Sequence, residues 1–378
     1  MEADLQETGV KTHHFSFTGT AGEYFGIWIV NLLLTIVTVG IYSAWAKVRR
    51  LRYFYGNTWL DGHNFEYHAK PLQILIGRII VFVVLIAANL LSQVAPLVVL
   101  GLLVPYFLAL PWLINKALSF NARMTSYRNV RFGFEGSYWG ALKVFVIVPI
   151  IVPVVAGLII FATFDFNSNN PGNAGYIIGI VVVMIAVQIL IVPYLSKLSS
   201  GYIGNSTRFG TARFETSLSL KMLYSNFAVT LLPAVGLLVL MGVLINAASP
   251  AGIGSSGVGA IQFLVFAVYF AFILGYLAYA AGVRNISFDA TRIEGGHGLT
   301  SSVPRFGYAW VIFSNLIVTV FSIGLMSAWA AVRTWRYLSN HTSLTTSGTL
   351  DNFVDQQGSS GNVAAAEYLD IEGIELGL

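Results

Sequence analysis

The sequence predicts an all-α polytopic integral membrane protein of about eight transmembrane segments, arranged in pseudo-repeated modules with small cytoplasmic β-hairpins. The first observation is composition: the mean hydropathy is +0.72 and 10% of the residues are charged, against about 25% in soluble domains. The second is the length of the apolar stretches, several of which reach the roughly 20 residues that a bilayer-spanning helix needs. The third is the recurrence of short basic, aromatic segments between those stretches.

Eight apolar stretches are candidates for spans. They cover residues 25–46, 72–94, 97–118, 139–163, 175–195, 227–248, 258–283 and 306–332. Together they define a membrane domain over residues 25–337, preceded by a polar segment, 1–24, and followed by an acidic tail, 338–378, that is expected to be mobile. The first stretch is interpreted as a retained helix rather than a cleaved signal peptide, because it is longer than a usual signal core and no basic cluster precedes it.

Cationic residues are concentrated in four of the linkers between these stretches. Linkers 47–71, 116–143, 197–224 and 284–305 hold 17 of the 21 Lys and Arg residues, whereas the linkers around 92–96, 164–174 and 249–257 hold none. The positive-inside rule therefore predicts that the basic linkers are cytoplasmic. The chain contains no cysteine, which excludes disulfide bonds and thiol chemistry.

Residues 31–53 align with residues 315–337 at a constant offset. The matched positions include the asparagine that opens each segment, a glycine and the run Ser-Ala-Trp-Ala, and they end on Arg52 and Tyr53 against Arg336 and Tyr337. Self-similarity of this kind predicts an internal repeat.

Each interior linker has the pattern of a short β-hairpin. In the first, polar and aromatic side chains alternate around Asp61-Gly62, a dipeptide favoured in tight turns. Residues 15–19 and 340–344 each resemble one half of such a hairpin, so the two ends are expected to pair as a fifth. The strands then form either one platform or independent surface hairpins.

The sidedness of the termini has two interpretations. If all eight stretches cross once, both termini lie outside the cytoplasm, which charge counting favours because residues 338–378 carry carboxylates and no cation. If the first and last stretches break near Gly40 and Gly324 and do not cross, both termini return to the cytoplasm, which the motif symmetry favours. Eight crossings is the preferred prediction.

Three separated motifs resemble a known family. They are Trp45-Ala-Lys-Val-Arg-Arg-Leu-Arg-Tyr-Phe-Tyr-Gly-Asn-Thr-Trp-Leu-Asp-Gly62, Phe120-Asn-Ala-Arg-Met-Thr-Ser-Tyr-Arg-Asn-Val-Arg-Phe132 and the ending Glu367-Tyr-Leu-Asp-Ile-Glu-Gly-Ile-Glu-Leu376. They resemble the YjgN-like bacterial inner-membrane proteins, a family of unknown function, with departures at Ser43-Ala-Trp45, where a proline is expected before the tryptophan, and at Ala331, where the counterpart is Lys47. The resemblance implies a bacterial inner-membrane location and supplies no activity.

Polar residues inside apolar stretches are the first candidate site. Arg78, Asn31 and Asn315 are candidates for a polar pathway, because ionisable and amide groups in membrane segments are frequently functional. The alternatives are that Arg78 snorkels to the membrane boundary and that the asparagines hold helices together. The function predicted from them is a transporter or channel for a small solute or lipid.

The basic, aromatic linkers are the second candidate site. Arg49, Arg52, Asn57 and Phe65 are predicted to contact anionic lipid headgroups or a partner, in a non-catalytic scaffold or sensor that presents a cytoplasmic platform. The same composition fits a membrane boundary better than a nucleic acid, so no nucleic-acid partner is expected. The spacing of the histidines and the absence of catalytic motifs predict no enzyme activity, metal or other cofactor. A protein partner is left unspecified.

Overall fold

The computed structural model describes residues 10–163, 174–248 and 255–358. Eleven strands within these ranges form one antiparallel sheet, in the order β1-β11-β10-β9-β8-β7-β6-β5-β4-β3-β2. The strands are β1 Val10–His14, β2 Ser16–Phe17, β3 Thr58–Leu60, β4 His63–Tyr67, β5 Thr125–Tyr127, β6 Val130–Phe134, β7 Thr207–Phe209, β8 Ala212–Thr216, β9 Thr291–Ile293, β10 His297–Ser301 and β11 Thr342–Ser347.

The N-terminal segment closes this sheet into a ring. β1 pairs with β11, with His13 opposite Leu344, and β2 pairs with β3, with Phe17 opposite Thr58. Only Phe15 separates β1 from β2, so residues 10–17 connect the two ends of the sheet. The predicted all-α class is wrong, because strands of two to six residues, each too short to stand out in the sequence, add up to a closed sheet.

The same local geometry starts five of the strands. Each begins with a threonine whose hydroxyl donates to the carbonyl four residues earlier, at 2.6–3.0 Å. These are Thr58, Thr125, Thr207, Thr291 and Thr342. A helix leaves its last carbonyls without partners, and a β-branched residue favours the strand that follows. A helix can therefore pass into a strand without an intervening loop.

Two sets of five side chains fill the ring. The third residue of each threonine-led strand lies in one buried cluster: Leu60, Tyr127, Phe209, Ile293 and Leu344. β4, β6, β8 and β10, together with Phe15 between β1 and β2, add a second set to the same cluster: Phe15, Phe65, Phe132, Phe214 and Leu299. Aromatic pairs join successive strands, such as Phe65 and Tyr127 with ring centroids 4.9 Å apart. Apolar packing rather than an open lumen therefore holds the ring.

Apart from one short helix over residues 350–358, the helices attach to one end of the ring, here called the helix rim, and the hairpin turns lie at the other end, the turn rim. The turns use left-handed backbone at Asp61 (φ 47°) and Gly62 (φ 75°), and at Arg128 and Asn129. Gly62 meets the preference of the predicted Asp-Gly turn. Arg128 and Asn129 adopt this conformation without a glycine.

The helices form five antiparallel pairs, each of which leaves the helix rim and returns to it. They are α1 Ala21–Val37 with α2 Ser43–Gly56, α3 Pro71–Val94 with α4 Pro96–Arg123, α5 Tyr138–Leu142 and α6 Val148–Thr163 with α7 Ala174–Ser206, α8 Leu220–Ala248 with α9 Ser255–Asp289, and α10 Arg305–Phe321 with α11 Ser327–Asn340. A π-helical turn, Lys143–Ile147, joins α5 to α6.

The prediction of eight crossing segments is wrong. Residues 25–46 and 306–332 are not single helices, because each turns back after α1 or α10. The turns contain Val39 (φ 50°) and Gly40 (φ 91°), and Ile323 (φ 54°) and Gly324 (φ 86°). Glycine adopts this backbone without the penalty that other residues meet. β1 and β11 also lie side by side in the ring, so both described ends of the chain are on the same side.

Four helices are long and apolar enough to cross a bilayer within the described residues. They span Pro71–Val94, Tyr138–Ile159, Leu220–Ile245 and Gly259–Asp289. α1 and α10 are apolar but have only 17 residues each, about 26 Å at 1.5 Å per residue. That is less than the roughly 30 Å of a bilayer core.

The segment 338–378, expected to be a mobile acidic tail, begins with the end of α11 and with β11. A further helix, α12, covers residues 350–358. Leu350, Phe353 and Val354 enter the buried core of the ring. Gln357 Oε1 accepts from the backbone N–H groups of Thr211 and Ala212, both at 2.9 Å. α12 therefore closes the turn rim, and residues 359–378 lie outside the described part of the chain.

Candidate functional site

The two short helix pairs pack side by side as one four-helix unit, made of α1, α2, α10 and α11. α1 contacts α11, and Tyr24, Phe54 and Val332 share one buried cluster. The rings of Phe54 and Trp335 lie 5.0 Å apart, and the indole N–H of Trp335 donates to Thr58 Oγ1 at 2.9 Å. The unit is thus anchored to the helix rim.

Asn31 and Asn315 each bind an arginine on the returning helix. Arg49 Nη1 donates to Asn31 Oδ1 at 3.3 Å, and Arg333 Nη1 donates to Asn315 Oδ1 at 2.8 Å. Both asparagines are 6% exposed. Asn315 also donates to Thr334 Oγ1 at 2.9 Å. The two Asn–Arg pairs tie outgoing to returning helices, which is the helix-joining alternative for these amides.

Arg78 joins α3 to the tip of the first short pair. Its Nη1 donates to Ser43 Oγ, at the first residue of α2. Arg78 is the eighth residue of α3, so it lies about 10 Å along that helix. The turn between α1 and α2 therefore lies within reach of the Arg78 side chain, about two helical turns from the start of α3.

Three of the four predicted lipid or partner contacts serve the helix rim or the ring. Arg52 donates to the carbonyls of Tyr67 and Ala69, both at 3.3 Å. The amide of Asn57 donates to Tyr53 O at 2.8 Å. Phe65 lies in the ring core and is 9% exposed. Arg49, the fourth, belongs to the first Asn–Arg pair.

An apolar surface runs along α3. Every residue from 76 to 87 is exposed, which is more than three helical turns, so α3 exposes side chains on all its faces there. Apart from Gly77 and Arg78 the segment is aliphatic or aromatic. The tips of the neighbouring short pairs are apolar as well, with Val39 91% and Ile323 93% exposed.

A groove runs along α11, between α10 and the start of α1. It encloses about 280 Å³ and is lined by Val311, Val332 and Trp329 on its apolar side and by Arg333, Arg336 and Asn340 on its polar side. The guanidinium of Arg333 lies 5.1 Å from the Trp329 ring centroid, and Arg336 Nη2 donates to Gly19 O at 2.7 Å. Among the described residues, neither arginine forms a salt bridge with a carboxylate.

A second cavity, of about 350 Å³, surrounds Arg52 near the ring and is lined in part by the carboxylate-bearing Glu66.

The equivalent tyrosines of α2 and α11, Tyr53 and Tyr337, have different surroundings. Tyr53 donates to Glu23 Oε2 at 3.1 Å, and burial raises the pKa of Tyr53 to about 12. Burial also raises the pKa of Tyr337, with no carboxylate contributing. The groove on α11 is therefore the more basic of the two sites.

The sequence does not predict this groove. Its internal alignment pairs Arg336 with Arg52, and neither Arg333 nor Arg336 belongs to a predicted site. The available signal was the spacing of Trp329, Arg333, Arg336 and Asn340, at intervals of four, three and four residues. Such intervals put side chains on one helix face.

Histidine and carboxylate side chains are dispersed over the described residues. No group of three or more His, Asp or Glu side chains close enough to hold a metal ion occurs within 10–163, 174–248 and 255–358. Within those ranges, Asp61 and His63 lie in one turn, where His63 Nδ1 is 3.0 Å from the backbone carbonyl of Asp61. The carboxylate of Asp61 instead contacts His13 Nδ1, at 2.9 Å.

Comparison with known proteins gives a family and no activity. A family model described as a bacterial protein of unknown function (DUF898) matches residues 12–371. The chain is 32% identical over 220 residues to an inner membrane protein YjgN of Escherichia coli O157:H7, an alignment that covers 57% of this chain and 54% of the relative. It is 25% identical over 363 residues to YjgN of Salmonella typhimurium LT2, with 90% of each chain covered.

The YjgN protein of Escherichia coli K12 is 31% identical over 219 residues, again with 54% of the relative covered. The chain thus aligns with about half the length of the two Escherichia coli relatives. No solved structure matches this chain.

Proposed function

The chain belongs to the bacterial DUF898 family of proteins of unknown function and is an inner-membrane protein like its curated relatives; from this premise we propose that it binds phospholipid between its helix pairs and moves it across the membrane. The observation that carries the proposal is the apolar surface of α3, on which every residue from 76 to 87 is exposed. An apolar surface of this length is unfavourable in water, so in a bilayer acyl chains cover it.

The strand order of the ring supports an even number of crossings. β4 and β5 are neighbours, with Phe65 opposite Tyr127, so a chain that crosses in α3 must cross back in α4. The same argument applies to the pairs that begin at α5 and α8. This gives six crossings in three long pairs, with two short pairs that enter from one side only. The basic linkers put the ring in the cytoplasm by the positive-inside rule.

The short pairs leave an opening to the lipid. α9 and α3 flank the four-helix unit and are longer than its helices. Because α1 and α10 are about 4 Å shorter than the bilayer core, the unit leaves the far edge of the membrane uncovered between α9 and α3. A phospholipid can enter sideways there, over the apolar tips of the two short pairs.

α3 also carries two polar side chains, at different depths in the membrane, that can contact the headgroup of a lipid. Arg78 and Asn89 are both exposed and are eleven residues apart, which puts them within about 20° of each other on the helix surface and about 17 Å apart along it. Polar groups inside a membrane segment are costly and mark pathways for polar cargo. Arg78 therefore keeps the pathway role predicted for it, whereas Asn31 and Asn315 are given a joining role.

The test is lipid exchange between the leaflets of vesicles that contain the purified chain. We expect the wild-type chain to speed the loss of a fluorescent phospholipid from the inner leaflet. The double variant Arg78→Leu/Asn89→Leu should slow exchange about tenfold or more, because the headgroup then lacks partners inside the bilayer. Arg131→Gln, which removes a charge from the exposed part of β6, should exchange at the wild-type rate.

Two results would contradict this function. One is exchange by the wild-type chain at the rate of protein-free vesicles. The other is exchange at the wild-type rate in a double variant whose elution volume and melting temperature equal those of the wild type.

A scaffold or sensor is the second candidate, favoured by the packed core of the ring. A ring whose interior is filled by side chains presents a rigid surface to lipid headgroups or a partner. The same vesicles separate the two functions, since a sensor retains phospholipid through purification and does not speed its exchange.

A further inference from the structure

We infer that the groove on α11 is a binding site for the phosphate-bearing headgroup of an anionic phospholipid. The inference rests on the proposed function in one respect, that the four-helix unit lies in the lipid layer. It goes further by assigning a headgroup class and the residues that hold it: Arg333 and Arg336 on α11, with Trp329 and Asn340 at the two ends of the groove.

The charge of the groove favours an anion. Arg333 donates to Ser314 Oγ at 2.7 Å and to Asn315 Oδ1, both through Nη1. Arg336 donates through Nη2 to the carbonyl of Gly19. A guanidinium has five N–H donors, so each arginine retains donors without an acceptor among the described residues. Neutral protein acceptors hold both groups in place and leave their positive charge uncompensated.

The spacing of the two arginines suits a phosphate. They are three residues apart on one helix, so their side chains are neighbours on its surface. Guanidinium groups bind phosphate oxygens through short, charge-assisted hydrogen bonds. Asn340, exposed at the ring end of the groove, adds an amide that can contact the polar part of a headgroup.

The walls of the groove favour a lipid over a free phosphate. Val311, Val332 and Ala21 line it beside the arginines. Trp329 lies at the end nearer the turn between α10 and α11. Tryptophan is enriched where a membrane passes from headgroups to acyl chains. The groove thus has Asn340 at the end nearer the ring and Trp329 at the end that lies deeper in the bilayer.

The corresponding surface of α2 is a natural comparison. Trp45, Arg49 and Arg52 occupy the same spacing there, but Arg52 binds two ring carbonyls. Tyr53, next to it, faces the carboxylate of Glu23, whereas Tyr337 on α11 lies beside Gly307. An acidic group near the α2 surface disfavours an anion, so one headgroup site is expected on this unit rather than two.

Native mass spectrometry of the purified full-length chain tests the inference. After delipidation, the chain is titrated with phosphatidylglycerol and, separately, with phosphatidylcholine. We expect one tight site for phosphatidylglycerol with about tenfold preference over phosphatidylcholine, and about tenfold weaker binding in Arg336→Gln, the size expected for loss of a charge-assisted bond. Trp329→Ala should weaken both lipids. Arg131→Gln removes the same charge elsewhere and should bind as the wild type does.

Two outcomes would overturn the inference, and a third would separate it from the proposed function. Equal binding of phosphatidylglycerol by Arg336→Gln and wild type places the headgroup elsewhere. Displacement of the lipid by millimolar inorganic phosphate identifies a site for free phosphate instead. Loss of leaflet exchange with intact phosphatidylglycerol binding refutes the proposed function and leaves this site standing. Arg336→Lys, which keeps the charge, should recover part of the affinity if folding is intact.

Discussion

Asn31 and Asn315, each in an apolar helix, accept the same kind of hydrogen bond in two helix pairs. Asn31 and Asn315 each accept from the arginine eighteen residues later, so the amide joins a helix to the one that returns beside it. A polar side chain in a membrane segment is therefore not by itself a sign of a pathway. What distinguishes Arg78 is its exposure within a helix segment, residues 76–87, in which every residue is exposed.

Asn315→Leu should destabilise the four-helix unit. It leaves Arg333 without an acceptor at Oδ1, and the loss of a hydrogen bond to a charged group costs about 1–2 kcal/mol. Thermal unfolding in detergent measures the effect. Asn31→Leu is the matched variant, and the longer 3.3 Å bond from Arg49 predicts a smaller decrease in melting temperature. Equal stability of wild type and Asn315→Leu would rule out the joining role.

His297 makes the ring sensitive to acid. It is 3% exposed, its Nδ1 accepts from the backbone N–H of Ser347 at 3.3 Å, and burial lowers its pKa below the usual 6.5. Between the lowered pKa and 6.5, the unfolded chain binds a proton that the folded chain does not. The stabilising contribution is therefore complete above pH 6.5 and is lost as the pH falls towards the lowered pKa.

The measurement is the melting temperature at pH 7.5 and pH 5.5. We expect the wild type to lose more stability over this interval than His297→Gln, which keeps an acceptor for Ser347 and does not titrate. Identical pH dependence in the two proteins would mean that protonation of His297 does not oppose folding.

At the scale of elements, α12 is held by a few contacts with the turn rim. Phe353 packs between Phe209, at 5.9 Å, and His297, at 4.1 Å between ring centroids. Asp351 forms a salt bridge with Arg128 at 2.5 Å but is exposed. The apolar contact should therefore matter more than the ionic one, because exposed ion pairs contribute little.

Phe353→Ala should release α12 from the ring. Removing a buried phenylalanine costs about 3 kcal/mol or more, and we expect faster proteolysis near residues 350–358 together with a lower melting temperature. Asp351→Asn is the matched control on the same helix and should change stability by less than about 1 kcal/mol. A larger effect from Asp351→Asn than from Phe353→Ala would reverse this account of how the ring is closed.

Some elements could be predicted from the sequence and others could not. The Asp61-Gly62 turn, the basic linkers as hairpins and the pairing of the chain ends were all within reach of local patterns. The reversal of α1 and α10 near Gly40 and Gly324 was one of two interpretations of the sequence, and the motif symmetry favoured it. Eight crossings was preferred because hydropathy continues through both glycines and because the charge count agreed with it. α12 falls within the predicted tail, where two aspartates accompany its three buried apolar side chains.

At the scale of the whole molecule, ring closure is a property that no single segment encodes. Each strand is stabilised only by its neighbours, and the register of β1 on β11 joins residues more than 300 positions apart. The candidate groove shares this feature, since α11 supplies its charges while α1 and α10 supply its walls. The spacing of Trp329, Arg333 and Arg336 could indicate a helix face, but not which helices border it.

The ring also fixes how the chain relates to the membrane. All hairpin turns lie at the turn rim and every helix pair returns to the helix rim, so the turns and both described ends share one side. An odd number of crossings between any two of these turns is incompatible with the sheet. The central claim is therefore about sidedness, and it applies to every turn at once.

Labelling of single cysteines in intact cells tests this claim most directly, since the native chain has no cysteine. The variants Asp61→Cys, Thr211→Cys and Asp355→Cys should all be protected from a membrane-impermeant maleimide added outside the inner membrane, and all should react in inverted vesicles. Gln93→Cys, at the end of α3 far from the ring, should show the opposite pattern. Labelling of Asp355→Cys from outside, with Asp61→Cys protected, would contradict the closed ring and restore an uneven number of crossings.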